Sequence, residues 1–208
     1  MEQIASVPEI LEEALGIVQP HYDRMNAALM SSYRETIYVK DQQRERGVIC
    51  TMTPKTKGCL MSDTLAYHLT KAFDDVADVE VRIINSVVGL LFSGKVYVKF
   101  NKMDENNSPS IQQRKWYKAI TNQGQEIDGL PQRVIKMWAG IVPVDKQWSD
   151  VARCSLVYYE GGTVAWFTDL VGTTVQQLSI DMTPQQTMRR TTPKKKDGEQ
   201  EANTGTNN

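Results

Sequence analysis

The chain has 208 residues, 40% of them apolar, with 24 basic and 25 acidic side chains and a formal net charge of −1. That length suits one domain of roughly 100–200 residues and argues against two. The near-neutral charge excludes whole-molecule attraction to nucleic acid or an acidic membrane, so any basic site must be local. The longest apolar runs, such as Val87 to Phe92, fall far short of the roughly 20 residues that cross a bilayer. Met1 to Pro8 lacks the basic region of a signal peptide. Cys50, Cys59 and Cys154 are odd in number and contain no close pair, which argues against disulfide stapling. A cytoplasmic protein with no membrane partner is expected.

Ser6 and Glu9 have the spacing of a capping box, which predicts a helix from about Val7. Ile10, Ala14, Ile17, Val18, His21, Met25, Ala28 and Leu29 then recur at helical spacing across Pro20. Because proline removes a backbone donor and clashes with the turn before it, two helical pieces with one shared buried face are expected. Lys40 to Lys57 shows no sustained period and predicts a loop, with a short strand at Val48 to Met52. Ser62 or Asp63 is expected to cap a second helix carrying Leu65, Leu69, Ala72, Phe73 and Val76 on one stripe.

The period then changes to strand-like alternation at Val79, Val81 and Ile83. Val87 to Phe92, Ser93-Gly94 and Lys95 to Met103 predict a β-hairpin, the glycine supplying a positive φ. In its second strand Val96, Val98 and Phe100 are expected to face the core, and Lys95, Tyr97, Lys99 and Asn101 to face water. Ser108-Pro109 has the form of a helix start leading to Trp116 and Tyr117. Asp128-Gly129-Leu130-Pro131 predicts a turn. Val134 to Val142 predicts a strand that Gly140 weakens. Val151 to Tyr159, Glu160-Gly161-Gly162 and Thr163 to Thr168 predict a second hairpin. The whole reads as one α+β domain over residues 1–181, N-terminal helices packed on a mainly antiparallel sheet containing two hairpins. Residues 182–208 read as a disordered, partly basic tail, in which Arg189, Arg190, Lys194, Lys195 and Lys196 outweigh Asp197, Glu199 and Glu201.

The candidate binding residues are Arg82, Lys95, Tyr97, Lys99 and Lys102, with Asp104 at the end of the hairpin. Cations around an aromatic ring can hold phosphate and stack a base. The plainer alternative is a solvated sheet face carrying lysines that discourage edge pairing. A metal-dependent nucleolytic site would need Asp74, Asp75, Asp78 and Glu80 to converge. His21 and His68 are too few for a zinc site unless a cysteine or carboxylate joins them. Cys154 sits in a strand pattern and reads as a buried thiol. No glycine-rich phosphate loop lies between a strand and a helix. No catalytic, metal or cofactor site is therefore assigned.

The run Val96-Tyr97-Val98-Lys99-Phe100-Asn101-Lys102-Met103-Asp104, then Ser108-Pro109-Ser110 with Gln112-Gln113, Gly129-Leu130-Pro131, Pro143-Val144-Asp145 and Gly162-Thr163-Val164-Ala165-Trp166 resembles a family of small bacterial and prophage proteins. Such proteins are encoded beside helix-turn-helix regulators in toxin–antitoxin-like or phage-defence modules. The likeness spans about Ser62 to Leu170. It departs at Ala139-Gly140-Ile141, where a glycine-tyrosine pair is expected, and in the tail. It implies a non-enzymatic protein-interaction component whose partner is a helix-turn-helix regulator or a cognate toxin or antitoxin. Trp116, Tyr117, Trp138, Trp148 and Trp166 are the aromatics expected to supply the interface anchors, some of them belonging instead to the core. The alternative is a nucleic-acid-binding or metal-dependent nucleolytic effector.

Overall fold

In the computed structural model, which describes residues 9–47, 52–109 and 115–170, Pro20 divides the N-terminal helical stretch as expected. Helix α1 (Glu9–Val18) leads through a single 3₁₀ turn (Gln19–His21) into α2 (Tyr22–Glu45). Leu11, Ala14 and Val18 on α1 and Met25, Ala28 and Leu29 on α2 share one buried face, while Ile10 is exposed.

The loop expected over Lys40 to Lys57 is shorter than its composition suggested, since α2 ends at Glu45 and α3 runs from Pro54 to Phe73. Lys40 to Glu45 is rich in good helix formers and continues the helix despite lacking an apolar stripe. The cap of α3 is Thr53, whose Oγ1 accepts the Thr56 backbone N–H at 3.1 Å with Pro54 following, not Ser62 or Asp63. Helices α2 and α3 are joined inside by the Ser32 hydroxyl, which donates to the Met61 carbonyl at 2.8 Å.

The sheet has the order β1 (Val79–Ile84), β2 (Val87–Phe92), β3 (Val96–Phe100), β4 (Ile135–Pro143), β5 (Val151–Glu160) and β6 (Thr163–Asp169). Every pairing is antiparallel except β3 with β4. Both expected hairpins form. Ser93 and Gly94 have φ of 48° and 67°, the paired left-handed conformation whose twist suits a two-residue hairpin loop.

One sheet face packs against the helices. Leu69 and Phe73 of α3 meet Leu90, Phe92, Val96, Val98 and Leu156 in a continuous core, and each such side chain contributes about 1.5–3 kcal/mol when fully buried. A parallel pair cannot be closed by a tight turn, so the chain from Asn101 to Val134 crosses to reach β4. Its described parts cover the other face, with α4 (Lys115–Thr121) lying on it. Leu91, Tyr97, Trp138, Val157 and Tyr159 form a second core there with Ala119, Ile120, Ile127 and Val134.

That second core corrects the expectation of a wet face. All five residues of β3 are buried, Tyr97 fully and Lys99 to 5% exposure. Gly140 marks the start of the crossover and is no defect of the strand. A Cβ there would lie 1.7 Å from the Asn101 carbonyl oxygen, so only glycine lets the departing chain pass.

Ser108-Pro109 does not begin a helix among the described residues. Pro109 bridges Met103, and Asp104 Oδ1 accepts the backbone N–H groups of Asn106 and Ser108 to close a loop. The Ser6–Glu9 box, most of the Val48 to Met52 strand, Ser110 to Arg114, the Trp116 side chain and the 182–208 tail fall outside the described residues. The chain divides into units Met1–Thr174 and Val175–Asn208, and all the elements above belong to the first.

Candidate functional site

The fold scatters the six candidate binding residues. Arg82 is paired with Glu80 on its own strand. Lys95, at the hairpin turn, donates to Glu13 of α1 at 2.7 Å. Tyr97 is buried under the crossover, and Asp104 is exposed and caps its own loop. Only Lys99 and Lys102 are brought together, at the end of β3 where the chain leaves the sheet.

The other candidate chemistry does not assemble either. Asp75 is held by Arg24, and among the described residues no group of three or more His, Cys, Asp or Glu side chains converges. His21 packs against the rings of Phe73 and Phe92, at centroid distances of 5.7 and 5.3 Å. His68 Nε2 meets Glu35 at 2.9 Å. Burial, reinforced by the Asp169 charge, pushes the Cys154 thiol up to about 12, which makes it a buried thiol without nucleophilic character at neutral pH.

Lys99 and Lys102 border a cleft of about 610 Å³ between the first half of α3, the start of β2 and the end of β3. Lys99 Nζ lies 4.5 Å from the Trp138 ring centroid, and Lys102 Nζ lies 5.4 Å from that of Trp148. A ring face attracts an ammonium group through its quadrupole, most strongly away from water. Trp138 and Trp148 are the members of the aromatic set that belong to the core, 1% and 2% exposed, and act as walls. Tyr117, partly buried, also lines the cleft, whereas Trp166 packs at the edge of the other core.

The Trp148 wall is fixed by the helices behind it. Tyr33 Oη donates to the Trp148 carbonyl at 3.0 Å, and Lys57 Nζ donates to the Gln147 carbonyl at 2.9 Å. Asp145 accepts from the Ser149 backbone at 3.0 Å, closing the β4–β5 loop. Burial lowers the Lys57 pKa below the ordinary lysine value. The charges of Lys40 and Lys102 lower it further, against the opposing pull of Asp145. The cleft therefore lies in a local field of like cations on a nearly neutral chain.

Lys55, Lys99 and Lys102 line the cleft, and among the described residues no Asp, Glu or His does. Such a surface holds an anion by charge and encloses an apolar body against Met61, Leu65 and Val87. Its titratable lining among the described residues is Lys55, Cys59, Lys99, Lys102 and Tyr117. A second hollow of about 550 Å³ beside Gln125 to Leu130 is more open and carries Glu126 and Asp128.

Lys55 and the α3 wall were missed in the sequence because the start of α3 was placed too late. The Thr53-Pro54 pair, a capping residue followed by proline, is the signal that identifies it. In class, the fold and site define an α+β protein with a one-signed, aromatic-walled cleft. Comparison with family models, with curated proteins and with solved structures gives no match.

Proposed function

We propose that this chain is a non-enzymatic binding component of a bacterial regulatory module, of the toxin–antitoxin or phage-defence kind that its sequence resembles. The Lys99–Lys102 cleft is the site through which it engages its partner. The observation that carries this reading is the charge pattern of the cleft, lysines on aromatic and apolar walls with no acidic or imidazole lining among the described residues. That pattern suits recognition of an anionic group.

The test is co-expression with the products of the adjacent genes, read by size exclusion with light scattering. A stoichiometric complex that Lys102→Glu loses while keeping its fold supports the reading. A complex indifferent to that substitution moves recognition elsewhere, and no complex with any neighbour contradicts the role.

The nucleic-acid alternative is favoured by the same positive cleft, but Lys99 is too buried to meet a polymer backbone, and Arg82 and Lys95 are engaged with Glu80 and Glu13. Binding of an oligonucleotide that weakens steeply with salt would support it, because phosphate contacts release counterions.

A further inference from the structure

The sheet ends at two edges, and they differ in regularity. On β6 the register against β5 shifts between Tyr158 and Tyr159, which leaves Ala165 without a partner. A bulge of this kind twists an edge away from further pairing. β1 pairs with β2 along its whole length without a shift and contains no proline. Its charged residues, Glu80 and Arg82, are of opposite sign and pair with each other. Among the described residues no strand lies on its outer side.

The hairpin fixes which backbone groups of β1 are free. Asn85 and Ser86, with φ of 50° and 62°, form a two-residue loop closed by Ile84 and Val87. The closing residues of such a loop exchange hydrogen bonds, and bonded residues then alternate along the strand. At the far end the Asp78 carbonyl accepts from the Ser93 N–H at 2.7 Å, in the same phase. Glu80, Arg82 and Ile84 therefore turn their backbone groups toward β2. Val81 and Ile83 turn theirs outward, together with the Val79 carbonyl, while the Val79 N–H is taken by the Val76 carbonyl at 3.2 Å.

The side chains make this edge complementary to itself. Two copies related by a two-fold axis perpendicular to the sheet must place one residue opposite its own copy. With Glu80 or Arg82 on the axis, like charges face each other. Val79 on the axis sets Glu80 against Asp78, and Ile83 or Ile84 leaves both charges without an opposite. Val81 on the axis sets Glu80 of each copy opposite Arg82 of the other. On the other sheet face the same register brings Val79 against Ile83, which is 67% exposed in the single chain. Val81 is then the hydrogen-bonded pair, so Glu80 and Arg82 occupy the non-bonded positions, where facing Cα atoms are only about 4.5 Å apart and side chains interact most closely.

We propose that the chain forms a two-fold homodimer through β1, in which two sheets join into one antiparallel sheet with Val81 on the axis. The Val81 N–H of each copy donates to the Val81 carbonyl of the other, and the Ile83 N–H of each donates to the Val79 carbonyl of the other. The Glu80–Arg82 pairing made within each strand is then also made between strands. No residue of β1 lines the Lys99–Lys102 cleft, so the dimer is independent of the proposed function.

The experiment is sedimentation velocity of the full chain over a concentration series, with charge variants at side chains that leave the β1–β2 ladder intact and with thermal midpoints as the folding control. Wild type is expected to dimerise. Arg82→Glu and Glu80→Arg each turn two opposite-charge pairs into two like-charge pairs, and each is expected to weaken the dimer by roughly tenfold or more. An equal mixture of these two variants restores both pairs and is expected to form a heterodimer of wild-type strength. The double variant Glu80→Arg with Arg82→Glu is expected to recover the homodimer. Phe167→Glu, on the β6 edge, is expected to leave it unchanged.

A wild-type chain that stays monomeric over the whole series overturns the dimer. A dimer indifferent to both charge variants overturns the β1 contact, and its loss in Phe167→Glu moves the contact to β6. A mixture that stays monomeric while both variants keep their thermal midpoints overturns the Val81 register. Each of these outcomes leaves the Lys102→Glu co-expression result, and with it the proposed function, where it stood.

Discussion

The Tyr97 ring occupies the space that a side chain at Gly89 would need: a Cβ on residue 89 would lie 2.4 Å from the Tyr97 hydroxyl oxygen and 2.5 Å from two ring carbons. Gly89 is on β2 and Tyr97 on β3, on the face that the crossover seals. The tyrosine is fully buried, and desolvation raises its pKa well above the ordinary value.

Gly89→Ala is therefore expected to destabilise the protein by about 1–3 kcal/mol, the usual cost of overpacking. Urea denaturation measures it. Tyr97→Leu in the Gly89→Ala background should recover part of the loss, and an alanine variant as stable as wild type would mean the ring is free to move.

Lys136 is the pin of the crossover. Its Nζ, on a side chain only 1% exposed, donates to the carbonyls of Ala119, Asn122 and Gln125 at 3.0, 2.6 and 2.5 Å. A cation there meets the orphan carbonyls at the end of α4. Lys136→Met should cost about 3 kcal/mol, because a buried acceptor left unmet costs about 1–3 kcal/mol. Hydrogen exchange should rise first in α4 and the Asn122 to Gln125 turn. A loss confined to global stability, with α4 protection unchanged relative to the sheet, would contradict the pinning.

His21, packed at a tilt against Phe73 and Phe92, gives a pH signature. Burial first, and the Arg24 charge second, lower its pKa from 6.5. The unfolded chain then takes up the proton more readily than the folded one. The His21 contribution is complete above the ordinary value and is lost as pH falls below it toward the depressed folded value. Urea midpoints at about pH 5 and about pH 7.5 should differ less in His21→Phe than in wild type. An identical pH slope in the two proteins would refute the assignment.

The described thiols should differ sharply in reactivity. Cys154 is buried with a pKa of about 12, while Cys59 is exposed. Alkylation near neutral pH followed by peptide mapping should label Cys59 in the native protein and Cys154 only after denaturant is added. Native labelling of Cys154 at the rate of Cys59 would contradict the burial of β5.

These residues also show what was legible in the sequence. Local signals placed both hairpins, the Pro20 break and every strand, because alternation and turn chemistry are carried by neighbours in the chain. What covers a strand is not local. Lys95, Tyr97 and Lys99 alternate with Val96 and Val98 as in any half-exposed strand; Lys95 at the turn is exposed, and only the parallel pairing of β3 with β4 brings the crossover down on Tyr97 and Lys99. The glycines held part of the answer. Gly89 beside an aromatic strand and Gly140 within an apolar one both mark a close approach that alternation alone reads as weakness. Of the candidate site, Lys99 and Lys102 were legible as cations and Trp138 and Trp148 as important rings. Their meeting at one cleft depended on the start of α3 and on the β4–β5 loop.

The most direct measurement is the indole N–H region of a ¹H–¹⁵N correlation spectrum during titration with the partner that co-purifies with the chain. The Trp148 and Trp138 resonances, whose rings line the cleft, are expected to shift on binding, with Trp166 unmoved. Unchanged Trp138 and Trp148 signals at saturating partner, or shifts confined to Trp166, would contradict recognition at the cleft.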